Sequence, residues 1–255
     1  MRKKIIIANW KLNGNKKSII KFLTLLNQFY FNKEEELNTL VVMAFPIMYI
    51  HLANSIINQK NIFMCAQNVD VNLYGSFTGE ISVNMLQDIG VRYVIIGHSE
   101  RRMYHKENNN IIAKKFKLVK DANLIPILCI GENEKEKKLG QTQLVCQKQL
   151  NDILNLLGSQ AFENSIIAYE PIWSIGTGQV ASLNYIQTVH NFIKNYINQH
   201  NNINWKNTFV QYGGSVDENN IYSLISQPDV DGVLIGGASL DYKRFSKIIN
   251  IIKNY

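Results

Sequence analysis

The chain has 255 residues, 46% hydrophobic and 18% charged, with a formal net charge of +7. That balance excludes a disordered or fibrous chain, and apolar runs of about six residues fall far short of the roughly 20 a membrane span needs. The positive charge raises nucleic-acid binding as a class, but Lys16, Lys17, Lys21, Lys114, Lys115, Lys117 and Lys120 are scattered through helical stretches instead of forming one stripe interleaved with aromatics, so neither a nucleic-acid nor a membrane partner is expected.

From the N-terminus, Met1 is followed almost at once by IIIANW, which has the length of a strand and no small-residue cleavage site, so no signal peptide is expected. Short apolar runs then recur, each closing on polar or glycine residues: IIIANWK (5–11), LVVMAFP (40–46), IFMCAQNV (62–69), YVIIGHSE (93–100), IPILCIGE (125–132), SIIAYEP (165–171), TFVQYGGS (208–215) and GVLIGGAS (232–239). Between them lie stretches with helical spacing. In Ser18–Phe31, for example, Ile19, Phe22, Leu23, Leu26 and Phe29 fall on one face. The runs are continuously apolar, as parallel strands covered on both sides should be. Eight strand–helix units in this length indicate an α/β fold, a single-domain (β/α)8 TIM barrel spanning residues 1–255. A doubly wound open sheet is the alternative, but such sheets usually carry a glycine-rich turn after the first strand, and here that strand ends in Asn9-Trp10-Lys11. Cys65, Cys129 and Cys146 form no CxxC pair, which fits buried, reduced thiols in a cytoplasmic protein without a metal site.

Barrel active sites lie at the C-terminal strand ends, so the polar residues closing the runs are the candidates: Asn9, Lys11, His98, Ser99, Glu100, Glu132, Glu170, Ser215, Gly236 and Gly237. Gly213-Gly214-Ser215 and Gly236-Gly237, with Gly176 and Gly178, allow backbone N–H groups close to an anion, and Ala238-Ser239-Leu240 could add a short helix aimed the same way. The ligand is therefore expected to carry a phosphate. An acid, an imidazole and an ammonium on one rim suit proton abstraction next to a carbonyl, with no cofactor. An aldolase forming a Schiff base on Lys11, or a barrel kept as an inactive scaffold, are the competing readings. Asp70–Glu80 (DVNLYGSFTGE) is longer than a βα loop needs, and its aromatic tip, Tyr74 and Phe77 between Gly75 and Gly79, suggests insertion into a partner.

NWKLNG (9–14), AQNV (66–69), IIGHSERR (95–102), CIGE (129–132), AYEPIWSIGTG (168–178), YGGSV (212–216) and GVLIGGASL (232–240) together resemble the motif set of the triosephosphate isomerase family, in its order and spacing. The resemblance implies a cofactor-independent isomerase interconverting glyceraldehyde 3-phosphate and dihydroxyacetone phosphate through an enediolate, in glycolysis and gluconeogenesis. It implies Glu170 as the base, His98 as a neutral electrophile, Lys11 as positive charge on the substrate, Asn9 as its orienter and Glu100 as support for Lys11. Gly176, Ser215, Gly236 and Gly237 would bind the phosphate through backbone N–H groups, and Cys129 would pack beside the site. Pro171-Ile172-Trp173 and Thr177-Gly178 would hinge a lid tipped by Ser174-Ile175-Gly176, held shut by Tyr212 and Ser215. The family is also homodimeric, which implies that Thr78 reaches the neighbouring subunit's site. Phe45 stands where the family usually has proline, Ser174 where alanine is commoner, Gln179 where lysine is frequent and Asp217 where asparagine is common, a position that can cap the next helix.

Overall fold

In a computed structural model of the chain, the structure describes residues 3–31, 39–175, 180–200 and 208–255. Eight parallel strands close in chain order: β1 (Lys4–Asn9), β2 (Thr39–Ala44), β3 (Ile62–Ala66), β4 (Tyr93–Ile96), β5 (Ile125–Ile130), β6 (Ser165–Tyr169), β7 (Thr208–Tyr212) and β8 (Gly232–Ile235). Strand β1 pairs with both β2 and β8, which closes the sheet and removes the doubly wound alternative. The helices are α1 (Lys16–Phe31), α2 (Ile50–Ile56), α3 (Val83–Asp88), α4 (Ser99–Tyr104), α5 (Asn109–Asp121), α6 (Glu134–Lys138), α7 (Thr142–Leu157), α8 (Leu183–His200), α9 (Ile221–Ile225) and α10 (Tyr242–Lys253). None of the described helices is long and apolar enough to cross a membrane.

Both faces of every strand are covered, and the two-residue period divides them into two cores. Ile5, Ile7, Val42, Cys65, Ile95, Ile127, Cys129, Ile166, Ala168 and Leu234 fill the barrel interior. Their alternates, among them Ile6, Ala8, Val41, Met43, Val210 and Ile235, pack outward against the helices. Burial pushes the thiols of Cys65, Cys129 and Cys146 upward, so all three free cysteines stay protonated.

Helix α1 shows how local sequence sets an element. Ile19, Leu23 and Leu26 are fully buried on one face. The helix starts two residues before the expected Ser18, because Asn15 and Ser18 cap each other: the Ser18 N–H donates to Asn15 Oδ1 and the Asn15 N–H to Ser18 Oγ, both at 2.9 Å. The strand period also decides what reaches the barrel mouth. Continuing each inward series by two residues brings up Asn9 and Lys11 from β1, Gln67 from β3, Glu170 from β6, Gly213 from β7 and Gly236 from β8.

Candidate active site

Glu170, one residue beyond β6, is 3% exposed. The Ser99 N–H at the start of α4 donates to its Oε2 at 3.3 Å, and His98 Nε2 lies 3.4 Å from Oε1. On the other side of the imidazole, the Glu100 backbone N–H donates to Nδ1 at 3.2 Å. That bond occupies the Nδ1 lone pair, so the ring proton sits on Nε2, the nitrogen facing Glu170. Gly213 is required by this geometry, since a Cβ there would stand 2.8 Å from Glu170 Cγ and displace the carboxylate. The buried thiol of Cys129 stays neutral, raised by burial and then by the Glu170 charge, which suits a packing role better than a nucleophilic one.

Lys11 carries a positive φ of 52°, a conformation that costs a non-glycine residue energy and persists only where its surroundings impose it. Two side chains do so. Asn9 Oδ1 accepts the Lys11 N–H at 3.0 Å, and Gln67 Nε2 donates to the carbonyl oxygens of Lys11 and Ala44, each at 2.9 Å. The ammonium of Lys11 then meets Glu100 Oε1 at 2.5 Å. With its oxygen engaged, Asn9 makes no hydrogen bond from Nδ2 among the described residues. Lys11, Glu100, His98 and Glu170 therefore form one connected chain of groups. Gln67 belongs to the AQNV motif but closes no apolar run; its inward position, two residues beyond Cys65, is the sequence signal that marks it. Arg102, within IIGHSERR, carries no such signal, yet it ties β4 to β5 by donating from Nε to the Gly97 carbonyl at 2.7 Å and from Nη2 to the Cys129 carbonyl at 3.0 Å.

Beside these groups opens a cleft of about 450 Å3 lined by Asn9, Lys11, Ser215, Gly236 and Gly237 among others. A Cβ at Gly237 would meet nothing within 4 Å, and one at Gly236 only Lys11 Cε at 3.6 Å. No packing demands glycine at either position; bare backbone facing open space is what an anion needs to reach N–H groups. The short helix anticipated after them is a single 3-10 turn, Gly237–Ser239. Asp217 does not cap α9 itself. Its Oδ1 accepts the N–H groups of Asn219 and Asn220 and so caps the turn leading into that helix.

The described part of the expected lid begins with the 3-10 turn Ile172–Ser174. Glu132 turns away from the barrel axis and anchors this turn. It accepts from Trp173 Nε1 at 2.8 Å, the Tyr185 hydroxyl at 2.9 Å and the Tyr169 hydroxyl at 3.0 Å. Ser215 Oγ donates to the Ser174 carbonyl at 2.8 Å, and the buried Tyr212 hydroxyl lies against the Ser174 side chain and the Ala181 backbone. Gly176, the Thr177-Gly178 hinge and Gln179 lie outside the described residues. Thr78 is exposed on the Asp70–Glu80 loop. Phe45 is fully buried and packs edge-on to Trp10 at 4.8 Å, filling the place of the usual proline behind the Lys11 loop.

Fold and site together define a class, the (β/α)8-barrel enzymes that set acid–base groups and an anion-binding glycine cradle at the C-terminal strand ends. The family model for triosephosphate isomerase matches residues 4–252. Relatives named triosephosphate isomerase include one from Buchnera aphidicola subsp. Cinara cedri, 55% identical over 98% of this chain and 99% of its own length. Another, from Buchnera aphidicola subsp. Schizaphis graminum, is 52% identical over the whole of both chains, and one from Blochmanniella floridana is 49% identical over 100% of this chain and 97% of its own. The chain belongs to the triosephosphate isomerase family.

Proposed function

We propose that this chain interconverts glyceraldehyde 3-phosphate and dihydroxyacetone phosphate by acid–base catalysis without a cofactor, in glycolysis and gluconeogenesis. The observation that carries the reading is the approach of Glu170 to His98, 3.4 Å apart, next to a cleft shared by Lys11 and the glycine arms. Glu170 takes a proton from the carbon beside the carbonyl, and the C–H electron pair moves into the C–O unit to give an enediolate. His98 donates a hydrogen bond from Nε2–H to the oxygen that gains charge, and the Lys11 ammonium stabilises the same charge. His98 gives its Nε2 proton to that oxygen and takes the proton of the neighbouring hydroxyl, the protonated Glu170 returns its proton to the neighbouring carbon, and the carbonyl re-forms there, so protons and electrons balance with no other reactant. Asn9 orients the substrate, while Gly176, Ser215, Gly236 and Gly237 receive the phosphate through backbone N–H groups. Glu100 holds Lys11 in an ion pair, which suits electrostatic service better than imine formation.

Lid closure over the enediolate excludes water and favours reprotonation over phosphate elimination, with Tyr212 and Ser215 as the latch. A cytoplasmic homodimer completes the proposal, with Thr78 reaching the partner's site. Exposed apolar residues on three consecutive units support it: Leu12, Met48, Tyr74 and Phe77. The test is isomerase activity on glyceraldehyde 3-phosphate in the parent and in Glu170→Gln. The parent should turn over, and the variant should lose at least ~10²-fold in kcat, the usual scale of general-base catalysis. A folded parent without activity, or a variant as fast as the parent, would sink the assignment.

A further inference from the structure

We propose that Arg244 is a second cationic contact for the anionic end of the substrate, placed on the outer wall of the cleft and raising substrate affinity. The inference rests on the phosphorylated-triose reading above and deepens it. Among the described residues lining the cleft, two are cationic, Lys11 and Arg244. They come from opposite ends of the chain, Lys11 from the end of β1 and Arg244 from the first turn of α10. The one lining carboxylate, Asp217, has its Oδ1 engaged by two backbone N–H groups.

Arg244 is fixed at both its backbone and its side chain. Its N–H donates to the α10 cap, Asp241 Oδ1, at 2.9 Å. Its Nε lies 2.8 Å and 3.1 Å from the two oxygens of Glu218. That contact uses one of five guanidinium donors, and among the described residues Nη1 and Nη2 make no hydrogen bond. The unused donors are the planar pair whose geometry matches phosphate oxygens. Glu218 follows Ser215 by three positions, so it roots the cation between the two glycine arms. The pair is part-exposed, with side chains 44% and 21% accessible, and such pairs contribute little to folding stability. Loss of the arginine should therefore register in binding, not in unfolding.

The test measures KM for glyceraldehyde 3-phosphate, and the dissociation constant of inorganic phosphate by calorimetry, in the parent and three variants. In ~20 mM salt Arg244→Gln should raise both about threefold or more while kcat stays within about twofold, and the difference should close by ~0.5 M salt as screening shortens the reach of the charge. Arg244→Lys should keep most of the affinity. Glu218→Gln, which spares the cation, should raise neither constant. Unchanged constants in Arg244→Gln overturn the proposal, and so do equal increases in Arg244→Gln and Glu218→Gln, which reduce the pair to a strut between the arms. Phosphate titration needs no turnover, so a parent that binds phosphate without isomerising would fail the reaction and still decide the role of Arg244.

Discussion

His190, on α8, is fully buried, and its Nδ1 lies 3.2 Å from the Asp229 carbonyl, to which it donates. Nε2 makes no hydrogen bond among the described residues, and the rings of Tyr169 and Tyr212 pack at 5.9 Å and 6.5 Å. Burial lowers the pKa from 6.5 to about 3; Lys194 pushes the same way, and Asp229 opposes both. The folded value lies below the unfolded one, so the stabilising contribution is full above pH 6.5 and is lost as pH falls toward 3. The loss is about 1.4 kcal/mol per pH unit inside that window. Urea unfolding from pH 7.5 to 5, at fixed protomer concentration, should show a shallower pH dependence for His190→Gln than for the parent by close to one proton, and equal slopes would remove His190 as the cause. Nothing in the sequence around His190 marks it, because its burial depends on β6, β7 and the turn at Asp229 meeting α8. Glu170 and Lys11 stand out in the sequence for the opposite reason: each is a polar residue closing an apolar run, a position that needs no tertiary information.

At the scale of elements, the eight strands were legible from their apolar runs, and closure follows from strand number and parallel pairing. The short helices α4 and α6 at the barrel rim were not, since six and five residues leave too little apolar period to read. Glu132 stands at the junction of β5 with that rim, and an outward position on the strand series sends it to the lid turn, not the substrate. There it joins four elements by accepting from Tyr169, Trp173 and Tyr185, while its carbonyl accepts the Ile172 N–H at 3.0 Å. The Lys137 ammonium lies 3.1 Å above the Trp173 ring and closes the other face. Three donors converge on one buried carboxylate, so Glu132→Gln keeps the shape but sets an NH2 group against some of them. Hydrogen bonds to a charged group contribute about 1.5–3 kcal/mol each, and the variant should lose ~2 kcal/mol or more in urea unfolding and raise KM through a loosened lid turn. Parent-like stability and KM together would show that the carboxylate is not the anchor.

Among the described residues, the three most exposed large apolar side chains lie on neighbouring units of the barrel. Leu12 is 96% exposed, Met48 75% and Tyr74 87%, and they stand on the connections that follow β1, β2 and β3, Met48 in the 3-10 turn Ile47–Tyr49. Three adjacent units thus turn large apolar side chains toward solvent on the same rim that carries Lys11, against a net charge of +7 that would otherwise keep chains apart. Lys11 is held in a strained conformation by Asn9 and Gln67, and Leu12 follows it directly, so any surface covering Leu12 also bears on the placement of the ammonium. The proposed homodimer would couple association to catalysis through this arrangement. The parent should sediment as a dimer at micromolar protomer concentration. Tyr74→Asp, which would bury a charge in the contact, should shift it to monomer. Misplacement on the order of 1 Å at a reacting group costs about 10²-fold, so the monomer should lose activity on that scale although Tyr74 touches no substrate. Activity rising with protomer concentration in the variant, toward the parent's value, would tie the loss to dissociation. A monomeric variant as active as the parent would instead show that each barrel holds its own Lys11 in place.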